Sequence, residues 1–228
     1  TSGTLSMYYP TAQPTTASRT LKIMSFNVLV TNRNYQSVIG EIVKHTPDVV
    51  TILEYSRKWD NELIELRQTY PYVACEPRQH GFGVAIFSKY PLSDIQIYKL
   101  PAINIDNPFL SAVVSFDEQS IRLAAVHAYS PTSKARLSFR NQQFRKVAQL
   151  LGNSEIPTVV VGDFNCTPWS PFLKDFQATT GLGDSRRGFG NQATWPTQSP
   201  FLRIPIDHAF VSPDVCVHDR FVGGATGS

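Results

Sequence analysis

Polar residues follow three apolar stretches of the sequence that read as buried strands. Asn27 ends the first stretch, Glu54 follows the second, and Asp163 and Asn165 follow the third. An apolar strand is a rigid platform, and the residues at its exit are exposed at one edge of a sheet. Carboxylate and amide oxygens gathered there can bind Mg²⁺, a hard cation that prefers oxygen ligands. The pattern therefore predicts a metal or phosphate site at a sheet edge.

The most informative group is Gly162-Asp163-Phe164-Asn165. In an extended segment, Asp163 and Asn165 point to one side and Phe164 points to the core. The carboxylate could bind metal or orient a water, and the amide could donate N–H bonds to a developing oxyanion. The alternative is a simple Asx turn after a strand.

Two further residues stand at strand ends. His127 closes an apolar strand, and its imidazole could donate to a phosphate oxygen or could be a hydrogen-bonded structural residue. Asp207 follows Ile204-Pro205-Ile206 and is either a turn carboxylate, a metal ligand or a group that orients a catalytic histidine. The adjacent His208 is no obvious substitute for that histidine, because neighbouring strand side chains point to opposite faces.

The elements that would position these residues alternate between strands and helices. Val38, Ile39, Ile42 and Val43 have helical spacing, Ser56 is a plausible N-cap, and a longer helix is predicted over residues 133–151. Residues 166 to about 203 are predicted to be irregular. Strands are predicted at residues 21–28, 49–53, 84–88, 95–100, 110–116, 121–127, 158–161, 204–211 and 215–222. The order predicts a mixed, layered α/β sandwich.

Length and composition fit one domain. The chain has 228 residues, and its 42% hydrophobic content supports a sizeable core, while the net charge of +3 neither supports nor excludes a nucleic-acid partner. Residues 1–19 read as a flexible tail or linker, and residues 20–228 as the domain. Cys75, Cys166 and Cys216 are too widely spaced for a zinc site, and a disulfide framework is not expected. No apolar run is long enough to span a bilayer.

The strand-end residues together resemble the endonuclease/exonuclease/phosphatase superfamily, also called DNase I-like. This group includes DNase I-like nucleases, abasic-site endonucleases, inositol polyphosphate 5-phosphatases and neutral sphingomyelinases. The resemblance runs from about Leu21 to the end of the chain, and five motifs occur in the family's order. They are Ser25-Phe26-Asn27, Ile52-Leu53-Glu54, Val126-His127 with Pro131, Gly162-Asp163-Phe164-Asn165 and Ile206-Asp207-His208. The block Gly83–Ser88 also looks like a strand of that family.

The resemblance implies a four-layered α/β sandwich, in which two packed mixed sheets are flanked by helices. It implies that Glu54 is the principal Mg²⁺ ligand and that Asn27 is a ligand or phosphate contact; Mn²⁺ would suit the same site. It also implies that His127 stabilises the transition state and that Asp163 orients the attacking water. Asn165 would donate to the phosphate, and Asp207 would position a catalytic histidine.

One family feature falls beyond the sequence. The family carries a Ser-Asp-His segment near its C-terminus, followed by a strand, and this sequence ends at Ser228, where the Asp-His pair would begin. We therefore expect the domain as given to lack its last strand, and the chain as given to be impaired in hydrolysis if that pair is missing.

The expected function is Mg²⁺-dependent hydrolysis of phosphate esters, by a phosphodiesterase or phosphatase in which an activated water attacks in line. A DNA or RNA nuclease of the same fold is the alternative, and a non-catalytic binding domain is the second alternative. Arg186 and Arg187, in the segment 166–203, could contact additional substrate phosphates or could belong to a folded loop.

The expected partner is a phosphate-ester substrate, and a nucleic acid is a possible partner. The protein is expected to be a monomer. The chain is compatible with a cytoplasmic enzyme or with an extracytoplasmic domain released from a membrane anchor.

Overall fold

Two β-sheets pack face to face between two layers of helices. The structure, a computed structural model, describes residues 20–102, 106–152, 154–197 and 202–227. The tail predicted over residues 1–19 lies outside the described residues. The helices are α1 (Tyr35–His45), α2 (Arg57–Glu62), α3 (Lys134–Leu151) and α4 (Pro171–Thr180), with a 3₁₀ turn at Ile64–Gln68 after α2.

The first sheet has four strands in the order β1-β2-β4-β3. They are β1 (Ile23–Asn27), β2 (Val49–Leu53), β3 (Tyr72–Glu76) and β4 (Val84–Ser88). β1 and β2 are parallel, so Asn27 pairs with Leu53 at the same edge, and the other pairs are antiparallel. Because β1 and β2 run in one direction, the residues at their exits come together.

The second sheet has six strands in the order β5-β6-β7-β8-β10-β9. They are β5 (Leu92–Leu100), β6 (Asn107–Phe116), β7 (Gln119–His127), β8 (Thr158–Asp163), β9 (Gly183–Asp184) and β10 (Asp207–Val211). β7 and β8 are parallel, and their register places His127 opposite Asp163. β10 runs antiparallel to β8, which places Asp207 opposite Asp163 on the other side.

Three apolar clusters hold the four layers together. Leu53 and Val161 belong to the cluster between the two sheets. Ile52 faces the opposite side and packs with Trp59 under α1 and α2, while Phe164 packs with Phe144 under α3 and α4. The alternation of strand side chains between two faces supplies both sides of each sheet. The predicted fold, two mixed sheets flanked by helices, is confirmed.

Serine side chains cap the first turns of two helices. The hydroxyl of Ser56 accepts the N–H of Trp59 at 3.3 Å, which makes Ser56 the N-cap that was predicted. Ser133 accepts the N–H of Arg136 at 3.2 Å and begins α3 in the same way.

Four parts of the chain differ from the sequence predictions. The segment 166–203 contains α4 and β9, because Pro171 starts a helix that Gly181, with φ 70°, ends in the left-handed conformation. β3 was not predicted. Residues 215–222 form no strand, and across the described ranges their backbone joins no sheet ladder. The strand predicted over residues 204–211 begins only at Asp207, since Pro205 has no N–H to donate.

Cys75, Cys166 and Cys216 form no disulfide with one another. No helix in the described part of the chain is long and apolar enough to cross a membrane.

Candidate active site

The predicted site residues meet at one edge of the sandwich. Asn27 and Glu54 come from the exits of β1 and β2 in the first sheet. His127, Asp163 and Asp207 lie side by side at the ends of β7, β8 and β10 in the second sheet. The packing of the two sheets brings both groups together.

Asp163 is the centre of the group. Its Oδ2 accepts a hydrogen bond from Asn27 Nδ2 at 3.2 Å and lies 3.9 Å from Nε2 of His127. Its Oδ1 accepts the backbone N–H of Asn165 at 2.8 Å. The Asn27–Asp163 hydrogen bond joins the first sheet to the second, so the Asp163 carboxylate lies close to residues of both sheets.

The loop after Asp163 is an Asx-type turn, since the Asp163 side chain accepts an N–H two residues later. Asn165 has φ 48°, so this segment is not the extended one that the sequence predicted. Asn165 Nδ2 donates to the carbonyl of Ala128 at 2.9 Å, which fixes the amide against the loop after β7. Phe164 is fully buried, as predicted.

Glu54 has an unusual backbone conformation for a residue with a side chain. Its φ is 60°, in the left-handed region, which costs on the order of 1 kcal/mol for a residue with a side chain. Its Oε2 accepts the N–H of Val30 at 2.9 Å. A Cβ at Gly81 would lie 3.0 Å from the same oxygen, so the absence of a side chain there leaves room for the carboxylate. The local fold holds Glu54 in one position.

Burial changes the titration of the central residues. Burial raises the pKa of Asp163 to about 6, and the charge of Glu54 adds to the effect. Burial also raises the pKa of Asp207 to about 7, and the charge of Asp163 adds to it. The pKa of His127 is lowered by burial, although Glu54 opposes the change. The imidazole is therefore neutral at pH 7 and can donate one N–H.

These residues fit a Mg²⁺ ion. No group of three or more His, Cys, Asp or Glu residues in the described ranges is arranged to hold a metal by itself. Mg²⁺ keeps several waters and needs only one or two carboxylates, so such a group is not required. Glu54, Asp163 and Asp207 form a chain in which each carboxylate raises the pKa of the next. A divalent cation would neutralise this repulsion.

Arg186 is not exposed to a substrate, which corrects the prediction that it contacts substrate phosphates. Its side chain is fully buried in an ion pair with Asp184, and its Nη2 lies 3.0 Å from Nδ1 of His208. His208 Nε2 in turn lies 2.6 Å from the carbonyl of Cys166, which it reaches as a donor. A sequence does not reveal a buried Arg-Asp pair, because nothing in it distinguishes a buried arginine from an exposed one. Arg187 is exposed, and its role as a phosphate contact stays a prediction.

Three residues that support the site were not selected from the sequence. Arg140 Nη1 donates to the carbonyl of Asn165 at 2.9 Å. Thr194 Oγ1 accepts the N–H of Asp207 at 3.3 Å, and buried Asn107 donates to the carbonyl of His127 at 3.1 Å. Thr194 and Asn107 carry no motif, while the basic character of α3 was the only sequence signal for Arg140.

Comparisons with solved structures agree with the fold. Zebrafish (D. rerio) TDP2, solved with a single-strand DNA product, is 20% identical, with a TM-score of 0.72 over 84% of this chain and 83% of that one. The catalytic domain of human nocturnin, solved with a bound sulfate, is 19% identical, with a TM-score of 0.68 over 85% and 83%. A mutant of Staphylococcus aureus beta toxin with bound magnesium ions is 20% identical, with a TM-score of 0.68 over 85% and 84%. At these identities the likeness shows the fold alone.

Sequence comparison gives a family. No curated protein matches the chain by sequence. The sequence profile described as "Endonuclease/Exonuclease/phosphatase family" matches residues 24–228, which is most of the chain. Members of this family are in general hydrolases that act on phosphate esters. With the two-sheet sandwich and the five residues at its edge, this match shows that the chain belongs to the endonuclease/exonuclease/phosphatase family.

Proposed function

We propose that this protein is a Mg²⁺-dependent hydrolase of phosphate esters, acting through in-line attack of an activated water. The observation that carries the proposal is the position of Asp163. It accepts a hydrogen bond from Asn27 of the first sheet and lies 3.9 Å from His127 of the second. Carboxylates, an amide and an imidazole within such reach are the groups that phosphoryl transfer needs.

Each residue is assigned one role. Glu54 and Asn27 are the residues that would hold Mg²⁺, and Mn²⁺ would suit the same oxygens. When bound, the cation neutralises charge on the phosphate oxygens. Asp163 orients the attacking water, and the neutral His127 donates its N–H to a non-bridging oxygen.

Asn165 and Asp207 complete the assignment. The Asn165 amide donates one N–H to the Ala128 carbonyl, which leaves its second N–H for a phosphate oxygen. Asp207 is the carboxylate that the resemblance assigns to positioning a catalytic histidine. The pairing of β10 with β8 fixes the backbone of Asp207 beside Asp163.

The test is a panel of phosphate monoesters and diesters, assayed with the protein after it has been stripped of metal. We expect turnover only after Mg²⁺ or Mn²⁺ is added. Glu54→Gln keeps the side-chain volume and removes the charge, so it should reduce kcat/KM at least about a hundredfold, equal to about 2.7 kcal/mol of lost transition-state stabilisation.

Glu62→Gln is the matched control, because Glu62 is exposed on α2 and is not one of the residues assigned to the site. We expect it to behave as the wild type. If Glu54→Gln retained wild-type turnover with Mg²⁺, the assignment of the site would be wrong. If no ester were hydrolysed with either metal, the proposed function would be wrong.

A further inference from the structure

Helix α3 carries an unusual charge. Its 18 residues include Lys134, Arg136, Arg140, Arg145 and Lys146, and no Asp or Glu. The loop before it, residues 128–133, has no acidic residue, and neither have residues 164–174, which lead from the active site into α4. A surface helix normally mixes the two signs, so α3 presents a positive face.

One stripe of this helix lines a groove. Lys134, Leu137, Ser138, Asn141 and Arg145 lie three or four residues apart and face Phe172 of α4 across a cavity of about 300 Å³. Lys134 and Arg145 are exposed, and neither forms an ion pair with any residue that the structure describes. The groove therefore holds two uncompensated cations beside an aromatic ring.

The groove is joined to the active site. Asn141, which lines it, accepts a hydrogen bond from Arg140 Nη2 at 3.2 Å. The same guanidinium donates through Nη1 to the carbonyl of Asn165 at 2.9 Å. Trp169, which is 49% exposed, lies in the loop between Asn165 and α4. A ligand in the groove would thus lie next to the loop that carries Asp163 and Asn165.

The dimensions decide which anion fits. Lys134 and Arg145 are 11 residues apart, which corresponds to about 16 Å along a helix. One phosphate group cannot contact both side chains, whereas a chain of phosphates can. Phe172 is half-buried in the wall of the groove, where a flat ring can lie against it, and it does not project as an anchor in a lipid surface would.

We infer that the groove between α3 and α4 binds a single-stranded nucleic acid, whose sugar-phosphate chain runs from the scissile phosphate past Arg145. This inference rests on the proposed function for its active site. The strand must be unpaired, because only unpaired bases expose a face on which Phe172 can stack. Lys134 and Arg145 contact separate phosphates of the same strand, and Phe172 stacks on a base.

Binding is tested without hydrolysis, by fluorescence anisotropy of a labelled 12-nucleotide single strand in EDTA at several salt concentrations. For the double variant Lys134→Gln/Arg145→Gln we expect binding to be at least tenfold weaker. The slope of log K against log salt should fall by about 1.4, because each lost phosphate contact on a single strand reduces this slope by about 0.7. Phe172→Leu should weaken binding about tenfold at an unchanged slope. Lys58→Gln/Lys146→Gln removes the same charge outside the groove and should bind as the wild type.

Hydrolysis of a small chromogenic diester with Mg²⁺ separates the two proposals. We expect all these variants to keep wild-type turnover of that diester, because none of the altered residues touches the active-site group. If the diester is cleaved but the groove variants bind the strand as the wild type does, the groove inference is overturned and the proposed function stands. Binding to phosphatidylserine vesicles that is lost in the groove variants, with no binding of the strand, would overturn the inference in favour of a lipid surface.

Discussion

Asp163 and Asp207 face each other across adjacent strands, and Asp163 is buried while Asp207 is half-buried. Their pKa values are raised to about 6 and about 7, and each depends on the charge of a neighbouring carboxylate. Two such groups titrate as a pair, so the pair takes up protons as the pH falls through about 7 and about 6. A nearby cation would release those protons, which is how metal binding would switch the pair to its working charge.

Asp207 also makes folding depend on pH. Its pKa is about 7 in the folded chain against 3.8 for an ordinary Asp. Between these values Asp207 binds more protons in the folded chain than in the unfolded one, so its contribution to stability is greatest below about pH 4 and falls as the pH rises to about 7. In EDTA, we expect Asp207→Asn to melt about 5 °C above the wild type at pH 8 and above it by a much smaller margin at pH 4.5. Scanning calorimetry at both pH values measures this.

The control for this prediction is Asp214→Asn, since Asp214 is an exposed carboxylate in the loop after β10. It should change the melting temperature little at either pH. An Asp207→Asn difference of the same size at pH 8 and pH 4.5 would contradict the titration of Asp207.

Sequence patterns located the residues that stand at strand exits. Asn27, His127 and Asp163 each end an apolar strand, and chain direction alone brings such residues to one edge of a sheet. The pattern did not separate Arg186 from exposed arginines, since its ion pair with Asp184 depends on a fold around β9 that has no sequence signal. It also did not predict the left-handed conformation of Glu54, which tertiary contacts impose.

At the scale of elements, Gly162 controls how closely β7 and β8 approach beside Asp163. Its φ is 140°, and a Cβ there would lie 2.0 Å from the carbonyl oxygen of Val126. That neighbour is backbone, so it can move only if the strand pair separates. We expect Gly162→Ala to destabilise the domain by about 3 kcal/mol and to lower hydrolysis by displacing Asp163 from His127. Urea unfolding and the ester assay measure the two effects.

Gly40→Ala is the matched control for this prediction. Gly40 is exposed within α1, and a Cβ there meets nothing within 4 Å. The substitution should raise stability by up to about 1 kcal/mol, because Ala favours a helix more than Gly does. Equal stability of Gly162→Ala and the wild type would show that the two strands can separate freely.

Element prediction succeeded where one physical signal dominated. β2 and β4 are fully buried apolar runs, and their predicted bounds match the structure. α4 was not predicted, because its helical apolar pair, Leu173 and Phe176, lies among proline, glycine and aromatic residues. Residues 215–222 have apolar residues at strand spacing, but a strand also needs a neighbour to bond with, and no single segment reveals that.

At the scale of the whole molecule, the active site is a contact between two sheets. Asn27 and Glu54 belong to the first sheet, whereas Asp163 and Asp207 belong to the second. The order of motifs along the sequence identified the family and hence this arrangement. Sequence periodicity could not do so, because it describes each strand separately and says nothing about which sheet each strand joins.

Because Glu54 lies opposite the second-sheet carboxylates, a cation held at this edge would link the two sheets and stabilise the whole domain. At a free concentration 100 times its Kd, Mg²⁺ should add about 2.7 kcal/mol, which raises the Tm by roughly 5 to 10 °C for a chain of this length. Differential scanning fluorimetry of metal-free protein with increasing Mg²⁺ measures this rise without any substrate. Glu54→Gln should abolish it and Glu62→Gln should preserve it, because Glu62 is exposed on α2. An equal rise of the Tm in all three proteins would place the cation elsewhere on the molecule. If the Tm of the wild type did not rise, this edge would not bind Mg²⁺ in the absence of substrate.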